Sequence, residues 1–153
     1  LITLYLCKKR LISKPLLYLS GFFEANKREY SSLLLKTNQE GNFEEWIDFF
    51  LEAMTVQAED ALGRAAKMQS LREEYRQKVQ DKFQTSTLTK LIDELFMNPY
   101  TSITKSERIL GVTYPTAKRL IETLMDLDIL TKVDDRERNK IFVAHEVLRV
   151  MDV

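Results

Sequence analysis

The residue types that most often carry out chemistry are scarce and scattered in this sequence. It has one His, His145, and one Cys, Cys7, which are too few for a structural zinc site or an internal disulfide. Its four glycines stand singly, whereas a backbone cradle for phosphate needs them grouped. Its carboxylates fall on the solvent faces of predicted amphipathic helices, with no second ligand grouped beside them. We therefore expect no catalytic residue and no metal site, and a satisfied, half-exposed side chain for His145.

Side chains suited to nucleic-acid binding gather in the last third of the chain. A cluster of hydroxyl, aromatic and basic residues follows Gly111, and further cations lie in or next to a charged turn. Basic groups contact phosphates, and polar groups at the start of a groove-bound helix reach base edges. The candidate DNA contacts are Thr113, Tyr114, Thr116, Lys118, Arg119, Arg136, Arg138 and Lys140.

The elements that must position these residues follow a regular order. Capping and turn residues predict a helix over 88–97, a short helix capped by Ser102 or Thr104 that Gly111 ends, and a longer helix capped by Thr113 with Pro115 in its first turn. That helix runs to about residue 128, with Ala117, Leu120, Ile121, Leu124 and Leu127 on its inner face. Strands over 129–133 and 140–144 and a helix over 146–151 follow. This layout predicts a winged helix-turn-helix.

The charge of this segment does not by itself favour DNA. Residues 85–153 hold ten Lys or Arg and eleven Asp or Glu, whereas a protein that makes many phosphate contacts normally has a basic face. Winged helices also serve as docking or dimerisation modules. DNA contact and a structural or regulatory role therefore both remain open.

The first part of the chain is predicted to be helical throughout. We expect the end of a helix over residues 1–12, a helix over 24–36 with Ser20 as a plausible N-cap, and another over 43–54. The last should bury Phe43, Trp46, Ile47, Phe50 and Leu51. Residues 55–83 continue as helix, and an apolar stripe from Ala61 to Phe83 predicts packing on the preceding helices or, alternatively, a coiled-coil seam. The polar residues 84–87 predict domains at 1–84 and 85–153.

Two segments in this first part resemble the C-terminal portion of Fic-domain proteins. Residues 15–30 match a family pattern of Pro, Leu-x-Leu-Ser, an aromatic pair and Asn-Arg, and residues 41–51 match a turn followed by Trp-Ile-x-Phe-Phe-Leu. Residues 1–6 resemble the helix that follows the family's catalytic motif. Many bacterial members also carry a winged helix with a segment like residues 116–121. The resemblance implies a mainly α fold: the helical end of a Fic domain, a long helix, and a winged helix-turn-helix with a small β-hairpin.

The family's activity is AMPylation, the transfer of AMP from ATP, with Mg²⁺, to a hydroxyl of a target protein. Its motif, His-x-Phe-x-Asp/Glu-Gly-Asn-Gly-Lys/Arg-x-Gly-Arg, does not occur in this sequence. Because the chain starts with Leu, we expect a fragment that begins just after that motif. No cofactor is expected in the fragment itself, while ATP and Mg²⁺ are implied for the intact nucleotidyltransferase.

The resemblance also implies a nucleotide-base side on the first domain, formed by Tyr30, Leu34 and Asn38. A spacing of four and four puts them on one helix face, so a stacking ring and an amide could approach a base. The alternative is structural, with Tyr30 and Leu34 in the core and Asn38 as a helix C-cap.

Composition sets the remaining expectations. With 23 basic and 23 acidic residues and 44% apolar residues, the chain is of an ordinary globular type. Basic residues interrupt the apolar start, so we expect no membrane contact, and the single Cys suits the cytoplasm. The expected partners are the target protein, DNA through the winged helix, and a second copy. The alternative function is a winged-helix transcriptional regulator with a helical dimerisation arm.

Overall fold

The computed structural model describes residues 2–12, 18–82, 85–133 and 140–151. Within these ranges the protein is mainly helical, with eight α-helices and one small three-stranded antiparallel sheet. The chain divides into two compact units, Leu1–Gly63 and Arg64–Val153. None of the helices in the described ranges combines the length and the apolar character that a bilayer crossing requires.

The first unit contains α1 (Ile2–Lys8), α2 (Leu19–Ala25), α3 (Lys27–Glu40) and the start of α4 (Glu44–Lys78). The prediction of one helix over 24–36 with Ser20 as its N-cap is wrong. Ser20 lies inside α2, and Asn26 separates α2 from α3. The Asn26 side-chain amide donates a hydrogen bond to the Phe22 carbonyl over 2.9 Å, which closes the last turn of α2.

Aromatic rings form the centre of the first unit. Phe49 on α4 is buried, with its ring centroid 5.5 Å from that of Phe22 and 6.0 Å from that of Phe23 on α2. The predicted buried face is wrong in part: Phe43, Ile47 and Leu51 are exposed, while Trp46 and Phe50 are half-buried. Residues 46–51 are apolar on several sides of the helix, and the rings of α2 pack against the side that carries Phe49.

Helix α4 is one continuous element of 35 residues, and Gly63 lies within it without a break. Its C-terminal part belongs to the second unit. Tyr75, and Val79 just after the end of α4, are buried in the second unit's core. Met68 and Leu71 pack against that core. From Met68 to Val79 the stripe therefore packs on elements that follow it in the chain, and for this part the prediction that it packs on the preceding helices is wrong. Phe83, the last residue of the predicted stripe, lies outside the described residues.

Polar contacts reinforce this packing. Arg72 and Arg76 both donate hydrogen bonds to the Asp93 carboxylate on α5 (Thr85–Met97), at 2.8 and 3.0 Å. The Tyr75 hydroxyl donates to a Glu146 carboxylate oxygen over 2.9 Å. Burial, and then the hydrogen bond to Glu146 and the charge of that carboxylate, raise the pKa of Tyr75 well above its usual range.

The second unit continues from α5 with two helices joined by a short turn and with a small sheet. Its further elements are β1 (Tyr100–Ser102), α6 (Ile103–Leu110), α7 (Tyr114–Asp126), β2 (Thr131–Lys132), β3 (Ile141–Val143) and α8 (His145–Met151). The strand order is β1-β3-β2, and both Tyr100 and Thr131 lie opposite Val143. Strand β1 was not predicted, and β2 and β3 are shorter than predicted. The predicted charged turn, residues 134–139, lies outside the described residues.

Local caps delimit α6 and α7. The Ser102 hydroxyl accepts a hydrogen bond from the Lys105 amide over 3.1 Å, and Gly111 ends α6 in the left-handed region at φ 65°, which confirms both predictions. Thr113 occupies the N-cap position of α7, and Pro115 lies in its first turn. The Thr113 side chain does not cap the helix, because it shares a 3.0 Å hydrogen bond with the Thr116 hydroxyl instead.

Strand β1 lies at one edge of the sheet and is tied down by neighbouring side chains. The Tyr100 amide donates to the Asn98 side-chain oxygen over 3.0 Å, and the Tyr100 carbonyl accepts from the Lys105 ammonium over 2.7 Å. Behind it, the buried hydroxyls of Thr101 and Ser106 share a 3.0 Å hydrogen bond that joins β1 to α6. Together with the Ser102 cap, three polar links thus hold the short strand to the helix that follows it.

Candidate functional site

Helix α7 has one buried face and one solvent face. Four of the five predicted inner residues are confirmed as buried, namely Ala117, Leu120, Ile121 and Leu124. The fifth, Leu127, lies just after the helix and is half-buried. At 100° per residue, Lys118 and Arg119 point to the opposite side. The apolar anchor fixes the rotation of the helix and so keeps this side toward solvent.

The structure brings five of the eight candidate DNA contacts together at the N-terminal half of α7. Thr113, Tyr114, Lys118 and Arg119 are exposed, and Thr116 is half-buried beside Thr113. Of the three hairpin cations, Lys140 is half-buried just before β3. Arg136 and Arg138 lie outside the described residues.

Charge is unevenly distributed along α7. Its basic side chains occupy the first half of the solvent face, whereas Glu122 and Asp126 occupy the second half. The Lys118 ammonium lies 3.7 Å from a Glu122 carboxylate oxygen, but both side chains are more than half exposed, so water screens the pair strongly. The N-terminal half is therefore the part of α7 best suited to an anionic partner.

Helix α6 adds two cations that were not among the predicted contacts, Lys105 and the exposed Arg108. Residues 103–126, which span α6 and α7, hold four Lys or Arg against three Asp or Glu, while the rest of 85–153 holds six against eight. The net charge of the two helices is therefore only +1, and the basic character of this segment depends on where its cations lie. The signal in the sequence was the position of these cations on the two helices that flank the Gly111 turn.

Tyr30, Leu34 and Asn38 lie on one face of α3, as predicted. One face of the Tyr30 ring stacks on Phe23, with centroids 4.9 Å apart and planes 17° apart. Leu34 is 41% exposed, and Asn38 is exposed. The half-buried ring is thus followed along α3 by an open apolar side chain and an open amide.

The structural alternative for these three residues accounts for Tyr30 alone. Leu34 is not in the core. Asn38 is not a helix cap, because Gly41 ends α3 in the left-handed region at φ 68° and its amide donates to the Thr37 carbonyl. The stacked Tyr30 has the structural role, and the positions of Leu34 and Asn38 have no packing explanation.

The remaining residues of catalytic type belong to different units of the chain. His145 is exposed at the first position of α8, and Cys7 is half-buried in α1. Within the described ranges, no three His, Cys, Asp or Glu side chains converge on a possible metal position. A search against known protein families finds none that matches this chain.

Proposed function

We propose that this chain is the C-terminal, regulatory part of a Fic-type protein adenylyltransferase, and that its second unit is a winged helix-turn-helix that contacts DNA. The observation that carries the proposal is the exposed basic N-terminal half of α7, whose opposite face is anchored in the core.

The order of elements supports the winged-helix assignment. Helices α6 and α7 are joined by a short turn at Gly111, and the β2–β3 pair follows α7 and adds to β1. In helix-turn-helix proteins the second helix enters the major groove and its N-terminal residues contact base edges. Here those residues are Thr113, Tyr114 and Thr116, with Lys118 and Arg119 placed for phosphates.

A role as a free-standing regulator with a dimerisation arm receives less support. The 61–83 stripe would form that arm, but Met68, Leu71 and Tyr75 contact the core of their own second unit. From Met68 to Tyr75 the stripe is therefore used within its own unit, which argues against its pairing with another chain there.

Support for the adenylyltransferase part comes from the first unit. The α3 face leaves Leu34 and Asn38 open next to the stacked Tyr30, which suits one edge of an adenine base. The described residues offer no group of acidic ligands for Mg²⁺. Nucleotide chemistry in this proposal therefore belongs to the catalytic motif of the parent protein, and this chain contributes the base side only.

DNA contact is tested by fluorescence anisotropy with a labelled mixed-sequence duplex, between about 50 and 200 mM salt. We expect binding at low salt that weakens linearly with the logarithm of the salt concentration. Lys118→Ala should reduce the magnitude of that slope by about one. Lys90→Ala removes another exposed cation, on α5, and should leave the slope unchanged. Absence of binding at low salt, or equal effects of the two substitutions, would refute DNA contact through α7.

The family assignment has a separate test. Genomic sequence directly upstream of the Leu1 codon should continue the reading frame with a His-x-Phe-x-Asp/Glu-Gly-Asn-Gly motif. A start codon or an in-frame stop codon there, without the motif, would exclude the adenylyltransferase part of the proposal and leave the winged-helix part standing.

A further inference from the structure

The N-terminal part of α4 carries an exposed apolar surface that the proposed function does not use. Phe43, Ile47, Leu51 and Leu62 are 58, 45, 52 and 71% exposed. Steps of four and eleven residues place them on one side of the helix, and the half-buried Met54 and Ala58 fill the gap. This surface, called here the α4 outer face, extends over residues 43–62 and is about 28 Å long.

Unpaired carboxylates border the α4 outer face. Residues 44–60 hold six Asp or Glu and no Lys or Arg. Glu44, Asp48, Glu52 and Glu59 are exposed, and none forms an ion pair within the described part of the chain. At 100° per residue they project beside the apolar strip, on the side away from the buried helix face.

We propose that the α4 outer face binds a basic amphipathic helix of a partner protein. An exposed apolar strip of this length, bordered by charge, has the character of an interaction surface. A helix with apolar residues at every third or fourth position would pack along the strip, as in helix-in-groove recognition. Lys or Arg side chains flanking its apolar residues would meet the four carboxylates.

Charge favours a basic helix over two other possible occupants of the α4 outer face, nucleic acid and a second copy of the chain. Nucleic acid carries the same sign of charge as the α4 outer face and would be repelled. A second copy that uses the same face would bring its own four carboxylates against these four, which disfavours self-pairing. A cationic helix satisfies the apolar and the charged parts of the surface together.

The test uses two synthetic amphipathic peptides of about 20 residues, which matches the length of the face. Both have the same Leu pattern; one has Lys at its other positions and the second has Glu. Anisotropy of each labelled peptide is measured against the 153-residue chain. We expect the Leu/Lys peptide to bind and the Leu/Glu peptide not to bind.

Substitutions then locate the binding surface. Leu51→Ser should weaken the Leu/Lys complex by about tenfold, and Asp48→Lys should weaken it with a reduced salt dependence. The controls are Leu35→Ser and the charge reversal Glu29→Lys, both at exposed positions of α3, and they should have no effect. Circular dichroism should show unchanged helicity, because all four positions are exposed.

Several results would overturn the proposal. These are no binding of the Leu/Lys peptide, equal binding of both peptides, or binding that Leu51→Ser leaves intact. Sedimentation equilibrium tests whether a second copy occupies the α4 outer face instead. A dimer that Leu51→Ser dissociates would assign the face to a second copy.

Discussion

Replacing Tyr75 by Ala should destabilise the second unit strongly, although Tyr75 precedes the compositional boundary at residues 84–87. Its side chain is fully buried, and its ring meets Phe96 edge-on with centroids 5.8 Å apart. Loss of a buried aromatic side chain costs about 3–5 kcal/mol. The lost hydrogen bond adds about 1 kcal/mol at most, because Glu146 is exposed and water can replace the hydroxyl. A loss of about 4 kcal/mol is a large share of a typical domain stability of about 5–15 kcal/mol.

Native-state hydrogen exchange measures this loss in each element. The protection of α5 and α7 amides should fall by about a factor of a thousand in the Tyr75→Ala protein, which corresponds to about 4 kcal/mol. Leu62→Ala is the matched control, because it truncates an exposed side chain of the same helix in the first unit. Its effect on α5 and α7 should stay within about 0.5 kcal/mol.

The result that would refute this reasoning is a loss of protection below about 1 kcal/mol in α5 and α7. Trp46, the only Trp and a residue of the first unit, provides an independent fluorescence signal during urea unfolding. We expect the urea midpoint of the Trp46 signal to be the same in the Tyr75→Ala protein as in the unsubstituted protein. A shift of the Trp46 midpoint equal to the loss in α5 would contradict the division of the chain at residues 63 and 64.

Three further outcomes follow from local geometry. Gly111→Ala should lower the stability by about 1 kcal/mol, because φ of 65° is strained for Ala, whereas Gly63→Ala in open helix surface should raise it by up to about 1 kcal/mol; thermal unfolding compares the two. Ser106→Ala should cost about 1–3 kcal/mol by leaving the buried Thr101 hydroxyl unpaired, and adding Thr101→Val should recover part of that loss in a denaturation cycle. Because the folded-state pKa of Tyr75 is raised, its contribution is complete below the unfolded-state pKa of about 10 and is lost as pH rises above that value. Tyr75→Phe should therefore flatten the decline of stability in alkaline titrations, and an unchanged decline would contradict this.

Helices α6 and α7 and the turn between them were the most predictable part of the fold, because the signals that delimit them are local. Ser102 caps α6, Gly111 supplies a left-handed residue, and Pro115 suits a first helical turn, whatever packs around them. Strand β1 could not be predicted in the same way. Its three residues become a strand only by pairing with β3, about 40 positions later in the chain.

The buried face of α4 could not be predicted from hydrophobic periodicity alone. Residues 46–51 carry apolar side chains at five of six positions, so two adjacent helix faces satisfy the pattern equally well. The rings of α2 contact Phe49, and this tertiary choice leaves Ile47 and Leu51 in solvent. For the candidate site, residue types alone were enough to select α7 as the candidate. The exposure of Leu34 and Asn38 could be predicted only with knowledge of what packs on α3.

The anchoring of Tyr100 also bears on how this protein behaves at high concentration. An edge strand with free backbone amide and carbonyl groups invites strand addition from another molecule, the first step of β-aggregation. At Tyr100 the amide is already bonded to Asn98 and the carbonyl to Lys105, so this part of the edge is a poor template for an incoming strand. Lys105 is also one of the cations of the surface proposed to contact DNA, so a neutral residue at that position would remove a charge from that surface and free the Tyr100 carbonyl for strand addition. The charge of α6 and the protection of the sheet edge thus both depend on the Lys105 side chain. Few residue types other than a long cation could serve both at position 105.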